Sequence, residues 1–262
     1  MLIRTDRAPL WVETRGTGEP VVLLHSLALS SEIWGEFANR LAAEFEVWLV
    51  DLRGHGHSPW DQSPFTIADL ARDVAALLDA RGIERASLVG ISMGGSVALT
   101  LAGLQPQRVP KLVLADTTAW YGPTARDDWR QRARRAVELS RPDQLEFQID
   151  RWFTRGFRIR CPEIVETVSS SFVATESGVH AAACLAMGEL DARELLPSIA
   201  ALTLVMVGAE DTATPRAMAE DLATCIPLAR LVVVDEASHL ALVERPDLAL
   251  QVAAHLAGRN VD

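Results

Sequence analysis

No stretch of this 262-residue chain approaches the roughly 18 consecutive apolar residues that a bilayer-spanning helix requires. The opening residues place Arg4, Asp6 and Arg7 where a secretory signal needs an apolar stretch, so a soluble, cytoplasmic protein is expected. Cysteine is scarce: Cys161, Cys184 and Cys225 are odd in number, widely spaced and form no C-x-x-C. That spacing suits neither a disulfide framework nor a zinc site, and buried reduced thiols are expected. Positive charge is also in deficit, with a net charge of −10. Such a field repels phosphate backbones, which argues against nucleic acid as a partner. Internal repeats and low-complexity tracts are missing, so a solenoid is not expected. What the chain does have is apolar material, 49% of its residues, enough for a sizeable core.

Those residues gather in short continuous runs at 21–24, 47–50, 86–89, 112–114, 202–207 and 231–234. Runs of β-branched residues and leucine read as strands buried on both faces, the pattern of a parallel sheet. Between runs the period changes. In 66–81, Ile67, Leu70, Val74, Leu77 and Leu78 recur at three and four behind Thr66 or Asp69 as a cap. Helices are also expected over 93–105 and 244–257. The alternation predicts an α/β fold with a doubly wound, mostly parallel sheet and right-handed crossovers. It fails between Tyr121 and Pro197, where the period is helical and Arg and Trp are frequent. The expected division is a core of residues 1–120 and 198–262, with a helical cap, 121–197, inserted near the carboxyl edge of the sheet. Open α/β sheets place their ligands at that edge. Charge follows the same division: residues 126–160 carry ten arginines against six acids, and 161–197 one arginine against six.

The strongest chemical signal is Gly90-Ile91-Ser92-Met93-Gly94-Gly95, set between an expected strand and an expected helix. A serine at so sharp a turn takes a strained backbone conformation, and flanking glycines leave room for it. Its hydroxyl then stands clear at the sheet edge, with a helix N-terminus behind it that favours negative charge. A serine nucleophile needs a base, and the base an orienting acid. Of six histidines, His239 sits on the loop after the last strand run, on the same edge as Ser92. His180 and His255 fall within helical stretches, and His25 ends the first inner strand. His55 and His57 form an H-x-H pair without a third ligand at a sensible spacing, so no metal is expected. For the acid, Asp211 follows the run 202–207; Asp116 and Glu210 are its rivals, and the other reading of Asp211 is a cap for the helix beginning near Thr214. The oxyanion of an acyl transfer needs two donors, for which the backbone N–H groups of Met93 and Leu27 are candidates.

Taken together, His25-Ser26-Leu27, the stretch from Asp51 through Gly54-His55-Gly56 to Ser58, the Gly90–Gly95 turn and the loops bearing Asp211 and His239 resemble the α/β-hydrolase superfamily over nearly the whole chain. The order Ser92, Asp211, His239 is the order of that superfamily. Within it the chain resembles 3-oxoadipate enol-lactonase through Ser26-Leu27, Arg151-Trp152-Phe153-Thr154, Ala213-Thr214-Pro215 and Ala237-Ser238-His239. Ala28 departs from the pattern, standing where glycine is common. The resemblance implies a serine hydrolase that opens a lactone or ester without a metal or organic cofactor. Its expected partner is a small molecule carrying a carboxylate that a guanidinium can clamp. Trp129, Trp152 and Phe153 are the candidate walls, and Arg130 and Arg134 the candidate clamps. Over 127–139, Trp129, Ala133, Ala136 and Val137 share a helical face. The alternatives are a general carboxylesterase, another lactonase, a C–C bond hydrolase, a cofactor-free perhydrolase, or a ligand-binding receptor with a vestigial triad.

Overall fold

The computed structural model describes residues 1–259, so residues 260–262 of the expected second core segment lie outside the described residues. Eight strands form one sheet: β1 (Leu2–Ile3), β2 (Leu10–Arg15), β3 (Pro20–Leu24), β4 (Glu46–Asp51), β5 (Ser87–Ile91), β6 (Lys111–Ala115), β7 (Leu202–Gly208) and β8 (Ala229–Val234). Their order across the sheet is β1-β2-β4-β3-β5-β6-β7-β8, with β1 and β2 antiparallel and the rest parallel. Each of the six apolar runs became a parallel strand. Strands β1 and β2 fall outside the apolar runs. The second alternates buried Leu10 and Val12 with partly or fully exposed neighbours, as a strand with one covered face does, and so shows no continuous run.

Helices flank the sheet: α1 (Gly35–Leu41), α2 (Ile67–Ala80) and α3 (Met93–Leu104) in the first half. The cap of α2 uses both candidates at once. The Thr66 hydroxyl accepts from Asp69 N at 3.1 Å and the Asp69 carboxylate accepts from Thr66 N at 3.1 Å, a reciprocal box that satisfies two end donors. All five apolar positions expected of α2 are buried.

After β6 the chain leaves the sheet for α4 (Ala125–Glu138), α5 (Arg141–Trp152), α6 (Arg155–Arg160), α7 (Pro162–Ala174) and α8 (Ser177–Gly188), then returns to β7. The stem of this excursion is pinned where Trp120 bridges Asp191 and Ala192 N donates to Ala119 O at 2.9 Å. The α4 face holds Trp129, Ala133 and Ala136 buried, but Val137, expected with them, is 59% exposed. At a helical period of 100° per residue it stands 80° from Trp129, just beyond the covered stripe. The chain ends through α9 (Arg216–Cys225), α10 (Ala241–Glu244) and α11 (Ala249–Leu256). The single helix expected over 244–257 is divided because Pro246 has no N–H to continue α10. Cys184 is buried, but Cys161 is half-buried and Cys225, at the end of α9, is exposed, so burial holds for one thiol of the three. Among the described residues no helix is long and apolar enough to cross a membrane.

Candidate active site

Ser92 joins β5 to α3 with φ +54°, in the left-handed region that non-glycine residues avoid. The turn survives because its neighbours are held close. A Cβ on Gly90 would lie 2.3 Å from Gly94 O, and one on Gly94 would lie 2.1 Å from Leu24 O. Only glycine fits at either place, which is the steric reason for the motif. Ser92 N donates to Ala115 O at 2.9 Å and Thr117 Oγ1 donates to Ser92 O at 2.7 Å, fastening the strained residue to β6 and its following loop.

The structure brings Ser92, His239 and Asp211 together from three loops at the carboxyl edge. Ser92 Oγ lies 2.9 Å from His239 Nε2, and His239 Nδ1 lies 2.9 Å from Asp211 Oδ2. Asp211 also accepts from Ala213 N, Thr214 N and Thr214 Oγ1 at 2.7, 3.0 and 2.7 Å. It therefore both fixes the turn before α9 and faces the imidazole; the two readings of this residue are compatible. Burial pushes its carboxyl up, but the adjacent His239 ring and the Thr214 donors outweigh burial and hold it below the usual range. An ionised Asp211 requires the ring proton on Nδ1, which leaves the Nε2 lone pair to accept the serine hydroxyl.

Asp116 lies at the same edge but turns elsewhere. Its buried carboxylate accepts from Gly208 N at 2.8 Å and Ala241 N at 3.0 Å, tying the Asp211 loop to the segment just past His239. Burial, and next the charge of Asp211, push this carboxyl well above the usual range. The side chain of Glu210 is exposed. Of the other histidines, His25 is buried with its Nε2 accepting from Leu52 N at 3.0 Å, and His255 is buried against Leu112 O and Leu202 O. His55 packs its ring against His25, whereas His57 packs against Trp11 with its side chain 62% exposed, so the H-x-H pair faces two different environments.

Leu27 and Met93 are both buried, and among the described residues neither backbone N–H is donated to a protein acceptor. Met93 is the first residue of α3, where a helix leaves its N–H unsatisfied. Next to Leu27, Ala28 has φ +57°, the conformation that glycine adopts without strain, so the departure at this position is a strained one.

Above Ser92 and His239 opens a cavity of about 270 Å³. Leu27, Trp129 and Trp152 line it, but Phe153, Arg130 and Arg134 do not. Phe153 is buried and stacked on Phe157, facing the interior. Arg130 pairs with Asp127 at 2.7 Å on the outer surface, and Arg134 is exposed. The arginines that line the cavity are Arg132, Arg135 and Arg151, with Gln148 and Tyr121 between them. A helical signal for Arg132 existed: it stands three residues beyond Trp129, on the same face, whereas Arg130 and Arg134 stand one and five beyond it. Arg132 donates to Gln148 Oε1 at 3.1 Å and lies over the Trp129 ring, its carbon 4.8 Å from the centroid. Arg151 is partly buried; burial, and next the neighbouring Arg132, lower its pKa. Among the described residues none of these three arginines is in an ion pair, whereas Arg126 and Arg130 on the outside of α4 each pair with an acid. The cavity thus brings together a hydroxyl bonded to an imidazole, the backbone of Leu27, three arginines outside any ion pair and one acid, Asp128.

A mostly parallel sheet with a serine at the turn after β5, an acid after β7 and a histidine after β8 defines an α/β hydrolase. The chain belongs to the alpha/beta hydrolase fold family, whose model matches residues 19–246. It is 34% identical to 3-oxoadipate enol-lactonase 2 of Acinetobacter baylyi over 226 residues, 86% of this chain and 84% of that protein. Among solved structures, it superposes on the enol-lactonase from Burkholderia xenovorans LB400 with a TM-score of 0.93 at 30% identity, covering 98% of this chain and 100% of that one. A malate-bound thermophilic esterase from Thermogutta terrifontis matches with a TM-score of 0.92 at 32% identity, covering 98% of each chain.

Proposed function

We propose that this protein is a carboxylic ester hydrolase that opens an anionic lactone of the 3-oxoadipate enol-lactone type through an acyl-enzyme on Ser92. The supporting observation is the pair of 2.9 Å contacts linking Ser92, His239 and Asp211 beneath a cavity walled by unpaired arginines. The names of the Acinetobacter and Burkholderia relatives point the same way. In this reading the segment 121–197 is a cap that shapes the cavity, and the enzyme works in the cytoplasm in the breakdown of aromatic compounds.

His239 Nε2 takes the hydroxyl proton as Ser92 Oγ bonds to the lactone carbonyl carbon. The oxygen that gains charge lies against the amides of Leu27 and Met93, and Asp211 stays ionised beside the imidazolium. Collapse breaks the ring C–O bond, and the enolate leaves while still tethered through the acyl chain. It takes the proton from His239 and becomes a ketone. A water, deprotonated by His239, then adds to the acyl carbon; collapse breaks the bond to Ser92 Oγ, which takes the proton back from His239 as the carboxylic acid leaves. Every step is a displacement with a proton transfer, so the cycle balances without a redox group. Arg132 and Arg151 hold the substrate carboxylate, each guanidinium offering paired donors to one anion.

The malate-bound esterase favours a second reading, in which the substrate is an acyclic ester of a small organic acid. Rates on enol-lactone and on p-nitrophenyl acetate, measured side by side, separate the two. The lactone reading expects kcat/KM at least about 100-fold higher on the lactone, the scale of discrimination that a charged contact supplies. Equal values, or a preference for the simple ester, contradict it.

A further inference from the structure

Two segments far apart in the sequence, Arg151-Trp152-Phe153-Thr154 and Ala237-Ser238-His239, are bonded to one another where the inserted helices meet the sheet. Ser238 Oγ donates to Arg151 O at 3.0 Å, and Leu240 N donates to Trp152 O at 3.0 Å. His239 lies between those two donors in the chain. A third link joins the same segments through Glu244 at the end of α10, which is 5% exposed. One of its carboxylate oxygens accepts from Ser238 N at 2.7 Å, and the other accepts from Thr154 N at 3.1 Å and Thr154 Oγ1 at 2.8 Å. Among the described residues Glu244 has no cationic partner. A buried carboxylate held only by neutral donors is a costly way to gain stability, because desolvation opposes the charge. Burial accordingly pushes its pKa up, against the pull of the Ser238 and Thr154 donors.

We propose that Glu244 is a positioning residue whose carboxylate locks the segment 151–154, which carries the cavity-lining Arg151 and Trp152, to the His239 loop, so that the seating of this segment sets the approach of the imidazole to Ser92. Arg151 and Trp152 line the cavity, so the element that meets substrate is fastened directly to the element that carries the base. Three donors converge on one carboxylate. Losing it leaves Ser238 N, the amide preceding His239, buried without an acceptor, and the loop has to shift to reach water.

This inference rests on the proposed roles of Ser92 and His239. Its test measures the rate at which a fluorophosphonate modifies Ser92, per folded molecule, together with the melting temperature. The variants are Glu244→Gln, Thr154→Val, Thr154→Ser and the double variant Glu244→Gln/Thr154→Val. Glutamine presents an amide donor where one of the donors needs an acceptor, and valine removes only the hydroxyl. Both single variants are expected to slow labelling by about tenfold or more, with the double variant within about twofold of the slower single, since all three break one link. Thr154→Ser keeps the hydroxyl and is expected within about twofold of wild type. Labelling in folded Glu244→Gln and Thr154→Val that matches wild type overturns the proposal. So do single effects that multiply in the double variant, or a Thr154→Ser as slow as Thr154→Val. Thr154→Val tests the link even where Glu244→Gln does not fold. A wild-type enzyme that the probe leaves unmodified at Ser92 instead refutes the nucleophile, a separate outcome.

Discussion

The sheet edge and the helical insertion meet at one cavity, yet they hold their polar groups in opposite ways. At the sheet edge each charged or reacting group is fully engaged. Asp211 receives the His239 ring and three donors from the turn that follows, and Asp116 receives two backbone amides. In the insertion, among the described residues, the guanidinium groups facing the cavity are in no ion pair, although Asp128 lines the same cavity and the chain carries 35 acids against 25 basic residues. The fixed edge suits chemistry, where a shift of about 1 Å is costly; the unpaired wall suits recognition, because it waits for a charge to arrive.

The largest expected effect lies at the edge. Ser92→Ala should lower kcat by about 10³- to 10⁶-fold with the fold intact, read from steady-state hydrolysis alongside circular dichroism. Asp211→Asn should follow, at about 10³- to 10⁴-fold, because the imidazole is then left in the wrong tautomer. Asp116→Asn should cost far less than Asp211→Asn in the same assay. An inverted order would make Asp116 the orienting acid and dissolve the division of roles drawn between them.

A medium effect is expected in the wall. Arg132→Gln and Arg151→Gln should each lower kcat/KM on an anionic lactone by about 10- to 100-fold, the value of a hydrogen bond to a charged group. Neither should change the rate on p-nitrophenyl acetate by more than about threefold. Arg130→Gln and Arg134→Gln, on the outside, should stay within about twofold on both substrates. Losses spread evenly over all four arginines would mean a general field rather than a clamp.

The last effect concerns stability, and here both regions contribute. Buried His55, His180 and His255 have pKa values lowered, chiefly by burial, to about 3, about 2 and about 4, from an unfolded value of 6.5. The unfolded chain therefore binds protons below pH 6.5 that the folded chain refuses. Stability should fall as pH drops from 6.5 toward 4, by up to about 1.4 kcal/mol per pH unit for each histidine. Urea unfolding across that range checks the slope; a flat profile would mean that these imidazoles are charged in the fold.

How much of this could be read beforehand also differs between the two regions. The inner strands were legible because burial on both faces leaves continuous apolar runs, and the Ser92 turn because glycine is the only residue its close contacts admit. Strand β2 was not, since a half-covered strand alternates and looks like polar loop. In the insertion the helices were legible from their period, and Trp129 from its place on the covered face. The arginines facing the cavity were not picked out, because charge on a helix marks no direction until one neighbour is known to point inward. Once Trp129 is fixed, helical geometry selects Arg132 over Arg130 and Arg134. The bonds through Glu244 and Asp116 join residues far apart in the chain, and no local pattern announces them.

The most direct test is to quench the reaction with an anionic enol-lactone at millisecond times and weigh the intact protein, then its peptides. A lactone loses no fragment when it acylates the enzyme, so the account predicts an adduct of the full substrate mass on Ser92 that forms and decays at rates consistent with turnover. Turnover at the normal rate with Ser92 never modified, or with the adduct on another residue, would contradict it.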